Sequence, residues 1–167
     1  MADVHNRETR SKNMRAIRHC NTGIEQRLQQ LLTELGLEAR LQARDLPGRP
    51  DFVLDRARKV IFTHGCFWHL HHCHLFKPPA TRTDFWLAKI GRNLQRDKEN
   101  LLALQQQGWK VLIIWECALK GKTQLPATAL AERLEEWICG GEHSAEIDQF
   151  GIRWLEIAEN RWGWHTS

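Results

Sequence analysis

Apolar residues recur at helical spacing in three stretches of this chain, and short β-branched runs lie between them. Ile24, Leu28, Leu31, Leu32 and Leu35 form one face after Asn21 and Thr22, either of which can cap a helix, and Gly36 closes the pattern. Leu37 to Gln42 reads as a strand and Leu46-Pro-Gly-Arg-Pro50 as a turn. The runs Asp51-Phe-Val-Leu-Asp55 and Lys59-Val-Ile-Phe-Thr63, joined by Arg56-Ala-Arg58, predict a β-hairpin, because branched and aromatic side chains suit a pleated, half-buried surface. After the stiff connector Lys77-Pro-Pro-Ala80, a long helix is predicted from Thr83 to Gln107 and stopped by Gly108. Trp109 to Trp115 then reads as a buried strand and Leu130 to Ile138 as a last amphipathic helix. Strands interleaved with helices predict an α/β layer structure.

Composition narrows this picture. At 167 residues the chain makes one domain with a real core. The net charge of +4 is mild, but its distribution is uneven. Residues 1–20 carry Arg7, Arg10, Lys12, Arg15 and Arg18 against Asp3 and Glu8, whereas the chain end is acidic. A basic start suits a polyanion, although a solvated arm has the same composition. Met14 and Ile17 suit either an arm that orders on its partner or a turn packed on the body. The expected division is an arm over 1–20, the body over 21–140, and a tail over 141–167 whose Trp154, Trp162 and Trp164 have no physical account at this level. No apolar run is long enough to cross a bilayer and the start lacks a secretory core, so a cytoplasmic protein is expected.

Reactive side chains concentrate between Pro50 and Cys73. Antiparallel pairing of the hairpin brings Asp51, at the start of its first strand, to Thr63 and His64 at the end of its second. A carboxylate, a backbone carbonyl and an imidazole can converge there on a hard divalent cation; the plainer alternative is that Asp51 caps a turn after Pro50. Cys66, His71 and Cys73 follow in one loop. Tetrahedral zinc needs a fourth ligand, and Cys117, just past the Trp109 to Trp115 strand, is the best candidate. Disulfides, or inert cysteines beside ordinary loop histidines, are the competing readings. If His71 ligates, His69 is left for acid-base work.

The long helix has an anomaly. Leu87, Ile90, Leu94, Leu101 and Leu104 make an apolar stripe, Lys89 and Asn93 stack beside it, and Asp97 falls in the arc between. A carboxylate there needs compensation, either an arginine or a shell of metal-bound water. Glu25, in the first turn of the first helix, is favoured by the helix dipole alone. Two consecutive aromatics, Phe67 and Trp68, sit on the metal loop and cannot easily both face one interior; insertion between base pairs is the alternative use.

The runs GRPDFVLD, VIFTHGCFWHLHHC, PATRTDFWLAKIGRN and VLIIWECAL, with TRSKNMRAI near the start, closely resemble the Vsr very-short-patch-repair DNA endonucleases over roughly positions 2–150. The resemblance implies a restriction-endonuclease-like fold, a central mixed sheet flanked by helices, with a structural Zn²⁺ and a catalytic Mg²⁺. It implies nicking 5′ to the thymine of a T·G mismatch left by deamination of 5-methylcytosine. By motif, Asp51 and the Thr63 carbonyl would bind Mg²⁺, Glu25 and Asp97 would hold metal-bound waters, and His64 and His69 would handle protons or the scissile phosphate. Cys66, His71, Cys73 and Cys117 would bind Zn²⁺. The arm bearing Met14 would reach the minor groove, Phe67, Trp68 and Trp86 would form an intercalating wedge, and Lys89 and Asn93 would read base edges. Leu70 departs from the family, which carries a further histidine there. The expected partner is mismatched duplex DNA bound by a monomer, with mismatch-repair proteins as further partners.

Three functions remain distinct. A Mg²⁺-dependent endonuclease gives Asp51, His64, His69 and Asp97 a task. A non-catalytic zinc-braced reader of mismatched or distorted DNA leaves Asp51, His64, His69 and Asp97 without a task. A zinc hydrolase of small substrates needs an open coordination position, which four protein ligands deny.

Overall fold

Every residue of Val111-Leu-Ile-Ile-Trp115 is buried, because strands flank this run on both sides and helices cover both of its faces. The computed structural model describes residues 22–66, 69, 71 and 80–157. Among them lie α1 (Thr22–Glu34), β1 (Arg40–Leu41), β2 (Phe52–Leu54), β3 (Lys59–His64), α2 (Thr83–Gln106), β4 (Lys110–Trp115), the single turn α3 (Glu116–Leu119), α4 (Ala127–Gly140), β5 (Ala145–Asp148) and β6 (Gly151–Trp154). The sheet order is β1-β2-β3-β4-β5-β6. β1, β2 and β3 run antiparallel, β3, β4 and β5 parallel, and β6 antiparallel to β5, so the sheet is mixed, as expected. No helix among the described residues is long and apolar enough to cross a membrane.

Strand alternation divides the core in two. Phe52, Leu54, Ile61, Leu112, Ile114, Ala145 and Ile147 pack with the apolar faces of α1 and α4. Val53, Val60, Phe62, Val111, Ile113 and Trp115 pack on the other side with Leu101 and Leu104 of α2. Burying one Leu or Ile side chain contributes about 1.5–3 kcal/mol, well above the few tenths that separate helix propensities, so packing decides these elements. Lys59 is buried on the α4 side, where its Nζ donates to the carbonyls of Trp137 at 2.6 Å and Ile138 at 2.7 Å. A cation there meets the negative end of the helix dipole.

The hairpin forms with Phe52 opposite Ile61 and Leu54 opposite Lys59. The turn before it is tightened by Gly48, whose φ is 77° and where an added Cβ would come within 3.0 Å of the Asn100 side chain. The strand predicted over 37–42 shortens to Arg40–Leu41. The helix predicted from Leu130 begins earlier, at Ala127 after Pro126, since proline is tolerated at a helix start and the apolar pattern alone does not mark that first turn.

The division at residue 140 is corrected. Beyond Gly140-Gly141 the chain adds β5 and β6 to the same sheet, and all four residues of β5 are buried. Their polar side chains hid the strand: Glu146 and Asp148 are buried against an arginine of the neighbouring strand, a compensation that hydrophobic pattern cannot show. The arm over 1–20 with Met14, the loop residues Phe67, Trp68 and Cys73, and the chain end with Trp162 and Trp164 lie outside the described residues.

Candidate active site and metal centre

The end of β3 gathers the candidate residues. Because side chains alternate, Thr63 points to the α1 side of the sheet and His64 to the α2 side, so two groups form, joined by one peptide.

On the α1 side, Asp51 Oδ2 accepts hydrogen bonds from the backbone N–H of Thr63 at 2.7 Å and from Thr63 Oγ1 at 3.1 Å. Asp51 is therefore bound to the second strand and does more than cap its own turn. Gln42 Nε2 donates to Asp51 Oδ1 at 3.1 Å and to both carboxylate oxygens of Glu25 at 3.3 Å. Its backbone is left-handed, φ 49°, an uncommon conformation for a residue with a side chain. Glu25 is brought there by α1, which Arg27 anchors by donating to the carbonyls of Leu119 at 2.6 Å and Leu125 at 2.8 Å. Burial, and then the adjacent Asp51 carboxylate, push Glu25 up to about 8. Two carboxylates drawn to one amide form an oxygen-rich corner whose charge a hard cation fits.

This arrangement has a pH consequence. The folded, metal-free protein holds a proton on Glu25 that the unfolded chain releases near pH 4.5, so the associated stability is complete below that pH and is lost as pH rises toward about 8. Denaturant unfolding in EDTA at a series of pH values is expected to show wild-type stability declining relative to Glu25→Gln between pH 5 and about 8. A constant difference between the two proteins across that range would remove the proton held on Glu25.

On the α2 side, His69 Nδ1 is hydrogen-bonded to Asp97 Oδ2. Its ring lies flat on that of His64, with centroids 3.8 Å apart and planes at 4°. Ligand atoms of His64, His69 and Asp97 all fall within 4.8 Å of one another. Burial, followed by the neighbouring His69, holds the His64 imidazole well below its usual range, so it is neutral in the free protein. Its Nδ1 is buried without a hydrogen-bond partner among the described residues. Asp97 is paired with His69, where helical position had suggested an arginine or a shell of metal-bound water. Carboxylate and imidazole together make an orienting pair for proton transfer.

A second cluster lies on the other side of Trp115, whose indole stacks on His71 at 4.3 Å and stands edge-on to His64 at 5.3 Å. His71 Nδ1 lies 3.5 Å from Cys66 Sγ and 3.6 Å from Cys117 Sγ, and ligand atoms of the three residues lie within 4.8 Å of one another. A hydrogen bond from Cys66, with help from His71 and the Gln149 backbone against the opposing burial, brings Cys117 down to about 5. A thiolate at neutral pH, a second sulfur and an imidazole are a soft donor set that fits zinc. The expected fourth ligand, Cys73, lies outside the described residues.

Of the proposed DNA contacts, Trp86, Lys89 and Asn93 lie half-buried in the first turns of α2. Lys89 Nζ sits 5.8 Å from the centre of the Trp86 ring, and Phe85, exposed beside it, meets that ring edge-on at 5.4 Å. Sequence reasoning missed Gln42, Phe85 and Asp148. For Phe85 the signal was available, since it falls off the apolar stripe; for Gln42 and Asp148 it was not.

The family model for DNA mismatch endonuclease Vsr matches residues 2–75. The chain is similar to the DNA mismatch endonuclease Vsr of Escherichia coli (strain K12), 63% identical over 155 residues that cover 93% of this chain and 99% of that protein. It is 40% identical to the type II nicking enzyme V.XorIIP of Xanthomonas oryzae pv. oryzae over 76% of this chain and 93% of that one. To the type II nicking enzyme V.NaeI of Lentzea aerocolonigenes it is 33% identical, over 82% of this chain and 83% of that one.

Proposed function

We infer the reaction from the family to which this chain belongs, the Vsr DNA mismatch endonucleases: it hydrolyses one phosphodiester of duplex DNA on the 5′ side of the thymine in a T·G mismatch, in the bacterial cytosol. The observation that carries this reading is the joining of Asp51, held by Thr63, to the His64, His69 and Asp97 group across a single peptide. A DNA-distortion reader without catalysis has no use for that grouping.

Each residue then has a task. Asp51 and the Thr63 carbonyl would hold Mg²⁺, with Glu25 and Asp97 about its waters, and the bound cation would offset charge developing on the phosphate. His69, oriented through Nδ1 by Asp97, takes the proton of the attacking water at Nε2. His64, neutral and stacked on His69, serves the leaving 3′ oxygen as a hydrogen-bond donor rather than as a positive charge. Trp86, with Phe67 and Trp68, enters the base stack, which a mismatch opens more cheaply than a paired step does. Lys89 and Asn93 read base edges beside the wedge, and the arm with Met14 lies in the minor groove. Cys66, His71, Cys117 and Cys73 would hold Zn²⁺, tying the loop that carries His69 and the wedge to the sheet.

Cleavage of labelled duplexes that vary the mismatch and its neighbours, at fixed salt and with Mg²⁺ or EDTA, tests the reading. Nicking of the thymine strand of T·G duplexes in Mg²⁺, and none in EDTA, is expected. Equal cutting of fully paired duplexes would make the protein a general nuclease, and binding without strand breaks in either condition would make it a reader.

A further inference from the structure

β5 carries two carboxylates into the interior that the reaction does not use. Glu146 and Asp148 are buried, Asp148 with 2% of its surface exposed. Arg153, directly opposite Glu146 on β6, donates to Glu146 Oε1 at 2.7 Å and to Asp148 Oδ2 at 2.5 Å. The Phe150 backbone N–H donates to Asp148 Oδ1 at 2.8 Å. This carboxylate is thus fixed from two sides, and the His71 ring lies beyond it: Nε2 stands 3.7 Å from Asp148 Oδ2, while Nδ1 faces the two cysteine sulfurs.

A buried ion pair is by itself weak support for a fold, since apolar side chains of similar volume serve as well or better, so Arg153 alone does not account for an acid at this position. The two nitrogens of His71 do. One points into the sulfur cluster, and the other faces an anion on a rigid strand, which is how metal-ligating imidazoles are held in register with their metal.

We propose that Asp148 is a positioning residue of the metal centre, holding His71 through Nε2 so that Nδ1 is presented to zinc. This rests on the zinc reading of Cys66, His71 and Cys117. It gives β5 and the turn after it a second role as the outer wall of the metal site.

The test compares full-length wild type with Asp148→Ala, Asp148→Asn and Asp148→Glu. Zinc affinity is measured by competition with a chromophoric chelator, and melting temperature is measured for the zinc-loaded and the chelated forms. Asp148→Ala and Asp148→Asn are expected to bind zinc about 10–100-fold more weakly, with Asp148→Glu recovering part of the loss. The gap between loaded and chelated melting temperatures narrows with affinity. Parallel falls of both melting temperatures with unchanged affinity would make Asp148 a sheet residue only and overturn the proposal. Should Asp148→Ala not fold, the near-isosteric Asp148→Asn carries the same readout. Wild type that takes up no zinc would instead defeat the zinc reading, a result distinct from a variant that matches a zinc-binding wild type.

Discussion

Asp51→Ala is expected to abolish nicking of a T·G duplex, by at least about a thousandfold, while affinity for the uncleaved duplex stays within a few-fold of wild type. A thousandfold corresponds to about 4 kcal/mol of transition-state stabilisation, within what a correctly placed cation contributes to phosphodiester hydrolysis. The substitution deletes the carboxylate that accepts from Thr63 N–H and Oγ1, and leaves Gln42 with Glu25 alone. Binding would be spared because the contacts proposed to phosphates and the base stack lie elsewhere, on α2 and on the segments assigned to the wedge and the arm. Asp51→Asn is the sharper companion. It keeps an acceptor for the Thr63 amide, yet removes the charge and sets one donor against the Gln42 amide. Single-turnover cleavage and a filter-binding or anisotropy titration separate the two quantities. Retained cleavage by Asp51→Ala would remove the proposed Mg²⁺ site.

Cys117→Ala is expected to have the next largest effect, on stability before activity. The residue is fully buried in α3, and its sulfur meets the His71 ring. Losing one of the four proposed ligands, with a zinc affinity reduced about a thousandfold, would remove about 4 kcal/mol of metal-linked stability, a large part of the 5–15 kcal/mol typical of a domain. Metal analysis should find less than one zinc per chain in the variant. Chelated wild type should melt near the variant, and added zinc should raise the wild type far more than Cys117→Ala. Cys139→Ala, at an exposed thiol, is the control and should match wild type. Equal melting of Cys117→Ala and wild type in both zinc and chelator would leave Cys66, His71 and Cys117 as an ordinary buried cluster.

The hairpin and the long helix were legible because their signals are local. The branched runs around Arg56-Ala-Arg58 and the stripe from Leu87 to Leu104 each declare their geometry within a dozen or two residues, and they fold within a residue or two of where that periodicity places them. The meeting of Asp51 with Thr63 follows from antiparallel pairing alone. By contrast, Ala145-Glu-Ile-Asp148 looks like surface and is core, since its carboxylates are satisfied by Arg153 across a strand boundary. Asp97 was recognisable as a carboxylate out of place, but its partner, His69, comes from a loop 28 residues earlier. Gln42 became the link between Glu25 and Asp51 only through a left-handed backbone that no residue type there announces.

By itself, then, the sequence determined which chemistry this protein commands: an acid at a strand end, imidazoles and thiols in one loop, aromatics beside a basic helix face. Only the tertiary structure decided the pairings, His69 with Asp97, Glu25 with Asp51 through Gln42, and His71 with Asp148. The reason is one of range. Periodicity is fixed by neighbours along the chain, whereas a buried charge takes whichever counterpart the packed sheet and helices bring to it, and that choice exists only once the chain has closed.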